Sequence, residues 1–83
     1  MTVKDLIQKK DYDCIEFRMS LSANSEKSVF YGVAKSKNGE LISVDGDNYE
    51  SELAEEILSY DEWSNENKNI KNGLTVILNL LIK

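Results

Sequence analysis

Histidine and proline are absent from this 83-residue chain, and Cys14 is its only cysteine. Without histidine the chain lacks the usual general base, the usual zinc ligand and any Ser-His or Cys-His nucleophile. One cysteine forms neither an intramolecular disulfide nor a cysteine zinc site, and we interpret Cys14 as a small buried apolar residue. The four glycines are dispersed, so a glycine-rich phosphate loop is missing too. These absences predict a protein that is not an enzyme and uses no metal or cofactor.

Long apolar runs are absent as well. The longest nearly apolar stretch, residues 74–82, is well short of the roughly 20 residues that a membrane helix needs. The beginning MTVKDLIQ lacks the apolar core of a signal peptide. We therefore expect no membrane association and a location in the cytoplasm of the host cell. The length predicts a single small domain over residues 1–83, and so small a core favours a homo-oligomer.

Charge is distributed unevenly along the chain. Residues 1–37 carry seven basic and five acidic groups, whereas residues 40–66 contain ten acids and no lysine or arginine. We call residues 40–66 the acidic band. The formal net charge of −5 argues against direct nucleic-acid binding, which depends on neutralising phosphates with cations. The acidic band favours a basic partner, or no partner.

Local signals predict a short helix at the N-terminus. Thr2 and Asp5 have the spacing of a capping box, in which each side chain accepts a hydrogen bond from the other residue's backbone. Val3, Leu6 and Ile7 fall on one face of this helix, which should end near residues 9 and 10.

Alternating polarity predicts the first strands. Residues 14–22 separate an apolar face from a polar one, namely Ile15, Phe17, Met19 and Leu21 from Glu16, Arg18 and Ser20. Asn38-Gly39 predicts a tight turn that joins residues 28–36 and 40–45 as a β-hairpin. In its first strand we assign two faces, with Val29, Tyr31 and Val33 on one and Phe30 and Ala34 on the other. Gly32 marks a bulge or the close approach of another backbone.

The second half of the chain is less uniform. Residues 51–58 fit a helix or a strand equally well, so the structure of residues 51–63 stays open. A second Asn-Gly pair, at 72 and 73, introduces residues 74–83, which are apolar on both faces and therefore suit a central strand or a subunit interface. The predicted class is α+β, a short N-terminal helix with a four- to five-stranded antiparallel sheet.

The stretch DGDNYESELAEE, residues 45–56, has six carboxylates and no base. It fits an EF-hand loop poorly, because Glu50 stands at position 6, where the sharp turn requires glycine. We favour a turn at Asp45-Gly46-Asp47 that leads into a solvated acidic segment. A basic partner protein would contact the carboxylates of this stretch: Asp45, Asp47, Glu50, Glu52, Glu55 and Glu56.

Arg18 is the only arginine and the best anchor for an anion, since its guanidinium fork matches phosphate or carboxylate geometry. The alternative is a solvated cross-strand partner of a glutamate. Tyr60 and Trp63, three residues apart, suit either a binding hot spot or the edge of the core. The residues predicted to bind an anionic ligand are Arg18, Tyr31, Lys35, Tyr60 and Trp63.

The motifs DGDNY, SYDEWSN and IKNGLTV, together with the start MTVKDLI and the stretch KDYDCIEFR, resemble those of a group of small proteins from phages and mobile elements of Firmicutes. The resemblance covers nearly the whole chain and rests on turn and strand motifs, so it transfers no catalytic residue. It implies a short acidic accessory protein with a counter-defence role.

Two functions are open on this basis. In the first, a homo-oligomer sequesters an anionic, nucleotide-type immune signal in a pocket at a subunit interface built partly from residues 74–82. In the second, the acidic band blocks a basic groove of a host defence protein, as DNA-mimicking, anti-CRISPR-like inhibitors do. We rank sequestration first, because a strand that is apolar on both faces favours self-association. A third reading, in which the acidity only keeps the protein soluble, also stays open.

Overall fold

The computed structural model describes residues 1–22 and 27–79. Its elements, in chain order, are α1 (Val3–Ile7), β1 (Tyr12–Ser20), β2 (Ser28–Lys37), β3 (Glu40–Ser43), a 3₁₀ helix (Glu50–Ala54), β4 (Ile57–Asn65), a second 3₁₀ helix (Glu66–Lys68) and β5 (Ile70–Leu78). The predicted α+β class is confirmed: a short N-terminal helix accompanies a sheet of five strands.

The strands lie in the order β3-β2-β1-β5-β4. Neighbouring strands are antiparallel except for β1 and β5, which are parallel. The parallel pair arises because β4 forms the far edge and β5 then turns back between β4 and β1. β5 is therefore a central strand, one of the two roles that its apolar faces predicted. Residues 80–83, which include Leu80, Leu81 and Ile82, lie outside the described residues.

The helix α1 covers one face of the sheet. The Thr2 side chain accepts a hydrogen bond from the Asp5 amide, and the Asp5 carboxylate accepts one from the Thr2 amide, so the predicted capping box is confirmed. Val3, Leu6 and Ile7 are buried, as predicted. They join the side chains that β1 and β5 direct to the same face, which are Ile15, Phe17, Leu74, Val76 and Leu78.

Three aromatic rings extend this core beneath the hairpin. Phe17 stacks on Tyr49 with ring centroids 4.9 Å apart, and Tyr31 packs 6.0 Å from Phe17. Gly32 makes the arrangement possible, because the Tyr49 hydroxyl lies where a side chain at Gly32 would begin. Of the two predictions for Gly32, the bulge is borne out, because the register of β1 and β2 shifts beside it at Tyr31. The close approach of another backbone is wrong, since the side chain of Tyr49 makes the approach.

The predicted turn of the hairpin is also confirmed. Asn38 and Gly39 both have positive φ, 55° and 80°, as a type I′ turn requires. Residues 50–54 form a 3₁₀ helix and residues 57–65 a strand, so the segment whose structure was open divides into both forms.

Three other sequence predictions are wrong in detail. β1 ends at Ser20, so that Leu21 is 50% exposed and Ser20 is buried, with its hydroxyl bonded to the Ser22 carbonyl. In β2 a bulge at Tyr31 interrupts the alternation, and Val33 therefore shares a face with Phe30 and not with Tyr31. Each error follows from a local break in the two-residue period, which polarity alone does not show.

The third wrong prediction concerns the second Asn-Gly pair. Asn72 and Gly73 lie inside β5, and the turn between β4 and β5 is made instead by Asn69, which has a left-handed φ of 57°. The Asn65 side chain accepts a hydrogen bond from the Asn67 amide within this turn. Gly73 serves packing, because the six-membered ring of Trp63 lies about where its side chain would be.

Candidate ligand-binding face of the sheet

The two faces of the sheet differ in how far they are buried. α1 and the aromatic cluster bury one face, whereas the described part of the chain buries no apolar side chain fully on the other. We call this second face the open face. Its apolar residues include Phe30, which is 52% exposed, and the half-buried Val33 and Ile77. An apolar sheet face without cover is typical of a binding or self-association surface.

A chain of polar contacts crosses the centre of the open face. The Trp63 indole N–H donates a hydrogen bond to Thr75 Oγ1 over 3.0 Å, and Thr75 Oγ1 lies 3.4 Å from Glu16 Oε2. Glu16 Oε2 is in turn 3.8 Å from Arg18 Nε. Arg18 thus pairs with a glutamate two residues earlier on its own strand and not across strands. Both side chains are about one-third exposed, so the ion pair is weak and open to competition from another anion.

Phe30 is the direct cross-strand neighbour of Arg18. Opposed residues of an antiparallel pair share a face, so the side chains of Phe30 and Arg18 start from neighbouring positions on the open face. Sequence reasoning missed Phe30 as a site residue, because the sequence does not show the strand register that sets Phe30 opposite Arg18. An exposed ring beside a cation can hold a planar, negatively charged ligand.

Lys35 lies on the same open face, since its strand neighbours Ala34 and Ser36 are both buried on the other side. A shallow depression of about 530 Å³ adjoins it, and Lys37, Asp11 and Asp13 also contribute to the lining. This volume is within the range of small-molecule sites.

The two aspartates of the depression already bind backbone amides. Asp11 accepts a hydrogen bond from the Asn38 amide over 2.8 Å. Asp13 accepts from the amides of Lys71 and Asn72 over 2.8 and 3.1 Å, and these bonds lower the pKa of its carboxyl group. Hydrogen bonds from amides do not neutralise a carboxylate, so Asp11 and Asp13 offset the ammonium groups of Lys35 and Lys37 in this lining.

The structure places three of the five residues predicted to bind an anion on one face of the sheet, spread over three strands. Arg18, Lys35 and Trp63 lie on the open face, whereas Tyr31 packs into the core on the opposite side and Tyr60, 47% exposed, pairs with Val76 on that same side. Tyr60 and Trp63 are separated because residues 57–65 form a strand, on which positions three apart face opposite ways.

The acidic stretch 45–56 makes specific contacts as well as facing solvent. Asp45 accepts hydrogen bonds from the Tyr49 hydroxyl and from the amides of Val33 and Asp47. The predicted turn is confirmed, with Gly46 at a φ of 92°. The hydrogen bond from Tyr49, followed by those from the amides, lowers the pKa of the Asp45 carboxyl group. Asp45 is therefore a structural residue of the loop.

The other five acids of this stretch have varied surroundings. Glu56 forms an ion pair of 2.8 Å with the Met1 amino group, and Glu52 Oε2 is buried without a described hydrogen-bond partner. Asp47 and Glu50 are exposed and line a depression of about 230 Å³ beside Tyr49, and Glu55 is half-buried. The stretch is thus not one uniform charged surface.

A second tyrosine binds the acidic band across the sheet. The Tyr12 hydroxyl donates to Glu62 Oε1 over 2.6 Å, and Lys10 Nζ lies 3.5 Å from the same oxygen. The hydroxyl bond lowers the pKa of Glu62, while burial and this carboxylate raise the pKa of the Tyr12 phenol. Glu62 therefore anchors β4 to the N-terminal part of the chain.

Acid should weaken the fold through these carboxylates. Asp45 and Glu62 have pKa values below their ordinary range in the folded state, so their contribution is complete above about pH 4.5 and is lost as pH falls through the folded pKa values. We expect the midpoint of urea unfolding to be lower at pH 3 than at pH 6. Asp45→Asn should lower the midpoint at pH 6 and reduce its difference between the two pH values, and an unchanged difference would contradict the role given to Asp45.

Comparisons with known proteins do not identify the chain. No family model, no curated protein and no solved structure matches it. In the described residues, no helix is long and apolar enough to cross a membrane.

Proposed function

We propose that this chain is a non-enzymatic phage or mobile-element protein that sequesters an anionic, nucleotide-type signal on its open face. The observation that carries the proposal is the pairing of Arg18 with Phe30. A guanidinium group can bind a phosphate while the neighbouring ring, half exposed, offers a flat surface for a base. Trp63 and Lys35 lie on the same face toward its other end, so they extend this surface beyond Arg18 and Phe30.

The spacing of the two cations favours an elongated ligand. Lys35 lies opposite the beginning of β1 and Arg18 near its end, about four residues and therefore roughly 13 Å away along the strand. A cyclic dinucleotide or an ADP-ribose-type molecule carries two anionic groups that can engage both positions. A ligand with a single phosphate can engage only one of these positions and should therefore bind with lower affinity.

Self-association through the open face is part of the proposal. Lys35 lies on β2, toward one edge of the sheet, and Asp61 and Trp63 lie on β4, at the other edge. A two-fold axis parallel to the strands would place each half of the open face on the opposite half of a second copy. Lys35 of one copy would then meet the Asp61 carboxylate and the Trp63 indole ring of the other copy, which makes the face self-complementary. The dimer would also cover the exposed Phe30 and enclose the ligand.

Calorimetric titration with cyclic dinucleotides and ADP-ribose tests the proposal. We expect saturable heat with at least one of them and none with the uncharged nucleosides, because the phosphates supply the contact with Arg18. Light scattering should show a dimer at both low and high salt. Absence of heat with every nucleotide, or a monomer that stays monomeric when the nucleotide is added, would contradict it.

A second candidate is an acidic inhibitor that occupies a basic groove of a host protein. The exposed carboxylates of Asp47 and Glu50 favour it, since both are available to a cationic surface. The contacts of Asp45 and Glu56 within the chain argue for a smaller acidic surface than the sequence suggests. Its affinity for the basic partner should fall steeply with salt, and glutamine at positions 50, 52, 55 and 56 should weaken it at low salt.

A further inference from the structure

The edge strand β4 has a free side. Its inner side pairs with β5, and no other described strand pairs along Ile57–Asn65. The N-terminal residues reach only its beginning, where Thr2 bridges to Glu56 and the Ile57 amide donates to the Met1 carbonyl. Residues 58–62 and 64 are exposed. An edge of this length with unpaired backbone groups is able to accept a further strand.

Each face of this edge presents one carboxylate close to one aromatic ring. Asp61 and Trp63 lie on the open face, and Tyr60 and Glu62 lie on the face that α1 covers. No described side chain forms an ion pair with Asp61, whereas Glu62 already meets Tyr12 and Lys10. A carboxylate beside an aromatic ring suits a lysine or arginine, which gains an ion pair and a cation–π contact together.

A second copy of the chain fits this edge poorly. Asp61 is the middle residue of β4. Antiparallel self-pairing about the middle of the strand opposes Asp61 either to itself or to Glu62 of the other copy, and like charges directly opposite each other are destabilising. Charge at the centre of an edge strand is a known device against self-pairing.

We propose that the outer edge of β4 accepts an extended basic strand of another protein. The added strand extends the sheet through main-chain hydrogen bonds. Two adjacent basic side chains of the strand lie one on each face, one against Asp61 and Trp63 and the other against Tyr60 and Glu62. This surface shares Asp61 and Trp63 with the open face, but its main-chain hydrogen bonds along β4 do not require a nucleotide there.

The test uses the capped synthetic peptide Thr-Val-Thr-Lys-Lys-Thr-Val-Thr with the full chain at low salt. Amide NMR shifts and hydrogen-exchange protection should be concentrated in residues 58–64, and Asp61→Asn should weaken binding about fivefold. Asp47→Asn is the matched control and should leave the affinity unchanged.

The control peptide has the same side chains, but the backbone nitrogens on its β4-facing edge carry methyl groups. It therefore keeps the charge but cannot donate main-chain hydrogen bonds to β4. We expect it to lose at least tenfold in affinity. Equal binding of the methylated peptide, shifts centred on residues 45–56, or no binding of either peptide would overturn the proposal. Protection of residues 58–64 without peptide, rising with protein concentration, would show that a second copy occupies the edge and would overturn it too.

Discussion

Gly32→Ala is expected to destabilise the protein by about 2–3 kcal/mol, a large part of the stability available to a domain of this size. The added methyl group would meet the hydroxyl and ring of Tyr49. Tyr49 cannot retreat freely, because it stacks on Phe17 and donates a hydrogen bond to Asp45. The variant must therefore move the ring, which disturbs both the aromatic cluster and the acidic loop. Urea denaturation, followed by circular dichroism, measures the change.

A double-mutant cycle with Tyr49→Leu shows whether the ring is the cause. In the Tyr49→Leu background the methyl group has space, so Gly32→Ala should cost less than about 1 kcal/mol there. If it costs as much with leucine at position 49 as with tyrosine, the close approach of Tyr49 is not what requires glycine.

Arg18→Gln is expected to weaken nucleotide binding by about 10- to 100-fold, because it removes a charge-assisted contact worth roughly 1.5–3 kcal/mol. Calorimetry with the nucleotide that binds the wild-type protein measures the loss. Lys9→Gln serves as the control, since it removes an exposed positive charge just after α1 and away from the open face. An equal loss in the two variants would show that only net charge matters.

Glu16→Gln should raise the affinity for the nucleotide, in contrast to Arg18→Gln. Its carboxylate competes with the ligand for Arg18, and an exposed ion pair of this kind is worth up to about 1 kcal/mol. Neutralising it is expected to tighten nucleotide binding by about two- to fivefold, while the amide can still bind Thr75. Weaker binding in Glu16→Gln would mean that Glu16 contacts the ligand itself, contrary to the arrangement proposed here.

The elements with local signals were predictable from the sequence. The capping box of Thr2 and Asp5 and the Asn38-Gly39 turn depend only on neighbouring residues, and both have the predicted form. The bulge at Tyr31 and the parallel pairing of β1 with β5 depend on contacts between distant parts of the chain. Polarity patterns contain no register, so Phe30 could not be placed beside Arg18.

The role of the acidic band shows the same limit. Composition predicts a solvated or partner-binding surface, and Asp47 and Glu50 are indeed exposed. Glu62, however, binds Tyr12, 50 residues earlier in the chain, and Asp45 binds the tyrosine that covers Gly32. Part of the acidic charge therefore holds the fold together, a use that no spacing in the sequence indicates.

Trp63 provides the most direct test of the proposed function, because it is the only tryptophan and its indole N–H bonds Thr75 on the open face. The measurement is the indole ¹H–¹⁵N resonance during titration with the cyclic dinucleotides and ADP-ribose. The proposal predicts a saturable shift of this resonance in the wild-type protein and a much weaker response in Arg18→Gln. A resonance that stays in place while the ligand binds, or in the presence of every nucleotide, would contradict the assignment of the open face as the binding surface.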